Sequence, residues 1–132
     1  MQSTTTKVST AVAYTTLAST NLERSERFYR DTLGFDVEKM PSPPGGLMVH
    51  CGQGTGLSVY ERPTPPNCDT TAMTLIVDDI DAAMTDLRAH GVTFEDYDLP
   101  YLKTTNGVAA DGPTKASWFK DPDGNILSLA QM

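Results

Sequence analysis

The sequence predicts an α+β fold, in which two tandem βαβββ modules form a half-open, eight-stranded, barrel-like sheet with helices on its outer face. Three observations carry this expectation. Short β-like runs alternate with single helical segments. The same order of elements starts again after residue 71. Most directly, the two halves align: Tyr14 to Leu22 lies over Ala72 to Ile80 without a gap, and Gly34, Phe35, Val37 and Glu38 lie over Gly91, Val92, Phe94 and Glu95 after a one-residue deletion. Leu57-Ser58-Val59 then lies over Leu127-Ser128-Leu129. An internal repeat of about half the chain has to be explained before anything else. Each module alone leaves one sheet face bare, and pairing two of them closes that face around a cavity.

Residues 1–10 are polar and rich in Ser and Thr, and read as a disordered tail. The rest, 11–132, reads as one domain, with module one at 11–62 and module two at 72–131. Module one opens with a strand at 11–18. A helix follows, capped by Thr20 or Asn21; Thr20 with Glu23 fits a capping box. Leu22, Phe28, Tyr29 and Leu33 form its apolar side, and Gly34 ends it in a left-handed conformation. Three short runs follow at 35–40, 47–52 and 57–61, with turns at Pro41 to Gly46 and Gly52 to Gly56. Residues 62–71 are a Pro-rich connector. Module two repeats the pattern: a strand at 72–77, then a helix capped by Asp78 or Asp79, with Ile80, Ala83, Met84 and Leu87 on one face. His90 suits the helix end and Gly91 its stop. Strands are expected at 92–96, 116–120 and 126–131, with a long connection at 97–115 and a tight Asp-Pro-Asp-Gly-Asn turn at 121–125.

A chain of 132 residues suits a single core. Its net charge of −7 repels phosphate backbones, so nucleic acid is not an expected partner. No run approaches the roughly 20 apolar residues of a membrane span, and the N-terminus lacks the apolar stretch of a signal peptide. A cytoplasmic location follows by default. The two cysteines, Cys51 and Cys68, form no metal or redox motif.

The segments NLERSERFYRDTLGF at 21–35, VDDIDAAMTDLRAHGV at 77–92 and WFKDPDGNILSLAQ at 118–131 resemble the vicinal oxygen chelate superfamily, the glyoxalase, bleomycin-resistance and dioxygenase-like proteins. The resemblance implies the paired-module fold and a homodimer. In metal-dependent members, four His or Glu side chains from the first and fourth strands of the modules hold one divalent ion. The resemblance puts those positions at Tyr14, Ala72, Ser128 and either Ser58 or Tyr60. Alanine offers no donor, and neutral hydroxyls do little to offset an ion's lost hydration. The expectation is therefore no metal and no cofactor.

Strand alternation sorts the side chains onto two faces. Leu17, Leu57, Val59, Met73, Leu75, Val77, Leu127 and Leu129 form an apolar face to lie beneath the helices. The other face carries Tyr14, Thr16, His50, Ser58, Tyr60, Thr74 and Ser128 among apolar residues, and Trp118 either joins it or plugs its mouth. Such a mixture resembles a small-molecule pocket. His50 is its one titratable candidate for acid–base work. Cys51 points to the opposite side of its strand, which disfavours a Cys–His pair. Tyr101 and Leu102, on the long connection, are candidates for a lid over the mouth or for contacts with a partner subunit. Two functions remain open: a metal-free protein that binds or sequesters an aromatic or cationic compound, or a lyase, isomerase or dioxygenase acting on a small organic substrate.

Overall fold

The computed structural model describes residues 7–41 and 45–132. The first six residues of the tail and 42–44 of the first predicted turn lie outside them. The chain runs β1 (Thr15–Ser19), α1 (Leu22–Arg27), β2 (Asp36–Met40), β3 (Gly46–His50), β4 (Gly56–Glu61), β5 (Thr71–Ile76), α2 (Ile80–Ala89), β6 (Asp98–Leu99), β7 (Leu102–Lys103), β8 (Ala109–Asp111), β9 (Thr114–Lys120) and β10 (Ile126–Gln131). One sheet has the order β1-β4-β3-β2 and a second the order β5-β10-β9-β8. In each, the first strand pairs in parallel with the last, and the remaining pairs are antiparallel. The result is a half-open pair of mixed sheets that meet along β1 and β5.

Apart from a register shift between Ile126 and Leu127, the paired strands repeat the same registers. Leu57 sits opposite Val49, and Val49 opposite Val37. Leu127 sits opposite Phe119, and Phe119 bridges Phe94. Ser58 lies between Thr16 and Met48, as Ser128 lies between Thr74 and Trp118. Leu17, Leu57, Val59, Leu127 and Leu129 are buried in the core with Tyr29, Met84 and Phe119, whereas Met73, Leu75 and Val77 are only half-buried against it. That difference marks a place where the core of module two is incompletely covered.

Several elements differ from the sequence reading, each for an identifiable reason. The first strand starts at Thr15, and Val8–Thr10 forms an exposed 3-10 turn. Asn21 caps α1 by accepting from the Arg24 N–H at 3.1 Å. Thr20 forms no capping box, because its hydroxyl donates to Asp123 Oδ1 at 2.7 Å. After Arg27 the helix widens into one π-helical turn, Phe28–Thr32, and Gly34 ends it at φ +85°. Asp79 caps α2, accepting from the Ala82 N–H, and His90 Nδ1 lies 2.9 Å from the Asp86 carbonyl oxygen at the helix end.

The predicted strand at 92–96 is reduced to one bridge at Phe94 and one bond from the Glu95 N–H to the Trp118 carbonyl. The chain leaves the ladder there because the Asp96 carboxylate accepts from the Thr104 hydroxyl and the Gly107 N–H, both at 2.8 Å. The edge strand resumes as β8, whose Ala109 pairs with Ala116. Residues between these points form an excursion that carries the β6–β7 hairpin and an Asn106-Gly107 turn, with φ of +52° and +82°. Two successive positive φ values fit the type I′ geometry that Asn-Gly favours.

Candidate functional site

The face opposite the helices is open in a single chain. Its module-one part is built on β1 and β4. The Thr16 and Ser58 hydroxyls are cross-strand neighbours hydrogen-bonded at 2.8 Å. Tyr14, 40% exposed, precedes β1. Tyr60 stands beside them, with the Arg62 guanidinium 6.0 Å from its ring centroid. His50 lies at the outer edge, its Nε2 3.1 Å from Glu38 Oε1. Both side chains of that pair are well exposed. The structure thus supplies the carboxylate partner for His50 that the sequence left unassigned. The repeat gives the pair its context: Lys120 occupies the register position of His50, and it bridges Glu95, the counterpart of Glu38, at 3.5 Å. A diagonal cross-strand contact between a carboxylate and a side-chain nitrogen, present in both modules, is a feature of the sheet.

The module-two part carries Thr74, Ser128 and Trp118. Trp118 Nε1 donates to Thr71 Oγ1 at 3.2 Å. Since β10 lies between β9 and β5, the indole must cross over β10 to make this bond. Ser128, beneath it, is 4% exposed, and its hydroxyl donates to the Leu129 carbonyl at 3.3 Å. Tyr97 packs edge-on against Trp118, with ring centroids 5.6 Å apart. The Tyr97 phenol is shifted up, first by burial and then by Glu95. Tyr97 and Thr71 were not singled out from sequence; Tyr97 belongs to an irregular excursion with no strand periodicity to place it. Tyr101 stands at the tip of the β6–β7 hairpin, 83% exposed, and Leu102 is half-buried.

The four positions at which the resemblance puts a divalent ion do not fit one. Tyr14 is a neutral phenol, Ala72 has no donor, and the Ser58 and Ser128 hydroxyls are already hydrogen-bonded. Among the described residues no three His, Cys, Asp or Glu side chains come together. A carboxylate-free, imidazole-free donor set lacks the charge that either hard or transition-metal ions require.

The two modules are locked by the turn after β9. Asp121 accepts from the Tyr29 hydroxyl at 2.7 Å, the Asn125 amide at 2.8 Å, and the backbone N–H groups of Asp123 and Asn125. Asp123, its side chain 1% exposed, accepts from the Thr20 N–H, the Thr20 hydroxyl and Arg24 Nη2. Burial pushes the Asp123 carboxyl up, but these hydrogen bonds and the Arg24 charge outweigh it and hold the group below the usual carboxylate value. Burial, with Asp121 alongside, pushes the Tyr29 phenol far up.

The fold and this turn-locked pairing of modules define a class, and residues 11–129 match it: the chain belongs to the Glyoxalase/Bleomycin resistance protein/Dioxygenase superfamily. It is 30% identical to the uncharacterized protein YaeR of Escherichia coli (strain K12), over 89% of this chain and 93% of that one. Among solved structures it is similar to TnmS3, an antibiotic binding protein from Streptomyces sp. CB03234, at 26% identity with a TM-score of 0.70, covering 92% of this chain and 97% of that one. It is also similar to a glyoxalase/bleomycin resistance protein from the same organism, at 28% identity and TM-score 0.67, covering 88% of this chain and 96% of that one.

Proposed function

We propose that this protein binds a small aromatic or cationic compound on the open face of its sheets, without a resident metal ion, and acts by sequestering it. The observation that carries this reading is the replacement of every metal-ligand position by Tyr, Ser or Ala on a face that keeps aromatic walls, Tyr14, Tyr60 and Trp118, around paired hydroxyls. Aromatic walls with a few convergent polar groups suit small organic ligands. The similarity to TnmS3 supports the choice of an antibiotic-like compound. A second copy of the chain would close the face, so a homodimer belongs to the same proposal.

Two measurements test it. Saturating Zn²⁺, Ni²⁺, Mn²⁺ or Fe²⁺ is expected to leave Tm unchanged, because a specifically bound ion stabilises by mass action. A metal-dependent rise that Tyr14→Phe or Tyr60→Phe abolishes would overturn the metal-free reading. Trp118 is the sole tryptophan, so its emission reports on this face. Titration with a panel of aromatic and cationic antibiotics is expected to quench it saturably for at least one compound. Ser58→Ala with Thr16→Val should weaken that binding by roughly five- to tenfold, the value of one or two neutral hydrogen bonds.

A further inference from the structure

A groove of about 780 Å³ lies between the β3–β4 turn, β5 and α2; helix-side residues line most of it, and Thr74 and Ile76 of β5 border it. Its origin is a broken symmetry. The repeat places Cys51, Gln53 and Thr55 at the positions of Asp121, Asp123 and Asn125. It also places Val77, Asp78, Ala83 and Leu87 at those of Ser19, Thr20, Ser25 and Tyr29. In one copy, the aspartates and Asn125 fill the space between turn and helix with a hydrogen-bonded network. In the other, the turn is Gly52-Gln53-Gly54-Thr55-Gly56, which has little side chain to offer, and the facing helix presents Ala83 and Leu87. A Cβ added at Gly52 would meet nothing within 4 Å. The same vacancy explains why Met73, Leu75 and Val77 are only half-buried.

We propose that this groove is a second binding site, separate from the Thr16, Ser58, Tyr60 and Trp118 part of the open face, for a small organic cation with an aromatic or branched apolar body. The volume falls within the roughly 300–1,000 Å³ of small-molecule sites. Phe35, Met73, Leu75 and Leu87 supply apolar walls, and Asp78 and Asp86 supply carboxylates. Among the described residues no Lys, Arg or His lines it. The net charge of −7 adds a long-range attraction for cations. A neutral or anionic ligand of the same shape meets the same walls without that attraction.

The test uses naphthylmethylammonium as probe and naphthylmethanol as its neutral counterpart, read by NMR of methyl-labelled methionine. Of the six methionines, Met73 lines the groove, whereas Met48 lies on the open face beside Ser58. The cation is expected to shift Met73 saturably and leave Met48 in place. Asp78→Asn with Asp86→Asn should weaken it roughly fivefold, since each carboxylate is exposed and screened, and should leave the alcohol unchanged. Ala83→Leu, which keeps a good helix former and fills the floor, should abolish binding of both while the Tm holds. In a Cys68→Ser background the cation should also slow alkylation of Cys51, which lines the groove. A shift of Met48 alone, no shift of either, or binding untouched by Ala83→Leu would overturn the groove site. A Met48 response would do so while leaving the open-face proposal standing.

Discussion

Asp123 shows how much one side chain carries in this fold. It is the end of a buried network from β1 through α1 to the turn after β9, and its carboxylate takes three hydrogen bonds from Thr20 and Arg24. Asp123→Asn keeps the shape and removes the charge. The expected cost is about 2 kcal/mol, below the ~3–5 of a fully buried broken pair because Arg24 is partly solvated. The folded carboxyl is lowered relative to its unfolded value of about 3.9. Its contribution is therefore complete above that value and is lost as pH falls through the lower folded one. Urea denaturation across a pH series should show a constant gap between wild type and Asp123→Asn from neutral pH to about pH 4, closing below it. A gap independent of pH down to full acid unfolding would show that the charge is not what matters. The turn itself was legible, since Asp-Pro-Asp-Gly-Asn specifies its own backbone and Gly124 takes φ +89° as expected. Its partners were not, because nothing local links residue 123 to residue 20. Thr20 fitted a capping box equally well on sequence, and the long-range carboxylate won. The His50–Glu38 pair escaped for the same reason: strand register, which sequence does not give, sets which residues lie diagonally across β2 and β3.

At the scale of elements, local pattern found both helices, the glycine stops and most strands, because periodicity and caps are short-range properties. It failed where tertiary contacts reorganise the chain, as at the edge strand of module two. There Val-Thr-Phe-Glu-Asp alternates like a strand, yet only Phe94 and Glu95 keep their sheet contacts before Asp96 turns the chain outward. The excursion that follows is tethered at its base by Asp96 and by Tyr97 against Trp118, and it holds Tyr101 out in solvent. We propose that it serves either as a lid for the open face or as an arm on a partner subunit. Tyr101→Ser with Leu102→Ser separates the two. As a lid, the double variant should lose roughly tenfold in affinity for a ligand that quenches Trp118 while the sedimentation profile stays unchanged. As an arm, it should sediment as a smaller species with ligand affinity retained.

The whole molecule is two similar modules with two different outcomes on each side. On the helix side, module two's turn is rooted in module one's helix, whereas module one's turn has no such network to α2, which leaves the groove. On the sheet side, Trp118 and Tyr97 cover β10, whereas the equivalent Met48 leaves Thr16 and Ser58 uncovered. The uncovered face also presents Met40, Tyr60 and Ile76, at 44%, 43% and 60% exposure. Alternation places all three on the side of Ser58. We propose that these exposed apolar side chains form part of a contact surface with a second copy of the chain. Burying the exposed parts of these side chains and Tyr14 contributes about 4 kcal/mol per chain, about 8 kcal/mol for a two-fold pair, from roughly 1.5–3 per fully buried side chain. That lies inside the ~4–15 kcal/mol cost of association and does not clearly exceed it. The proposed homodimer is therefore weak on this face alone and is tightened by a ligand that fills the space between the faces. Sedimentation velocity should show a concentration-dependent shift from the 14.3 kDa chain to twice that mass. Ile76→Lys, which places a charge on the face, should hold the protein at the smaller mass with its Tm unchanged, since Ile76 contributes little to the core of its own chain. A dimer that persists in Ile76→Lys would have to use another surface, and the open face would then have to bind its ligand within one chain.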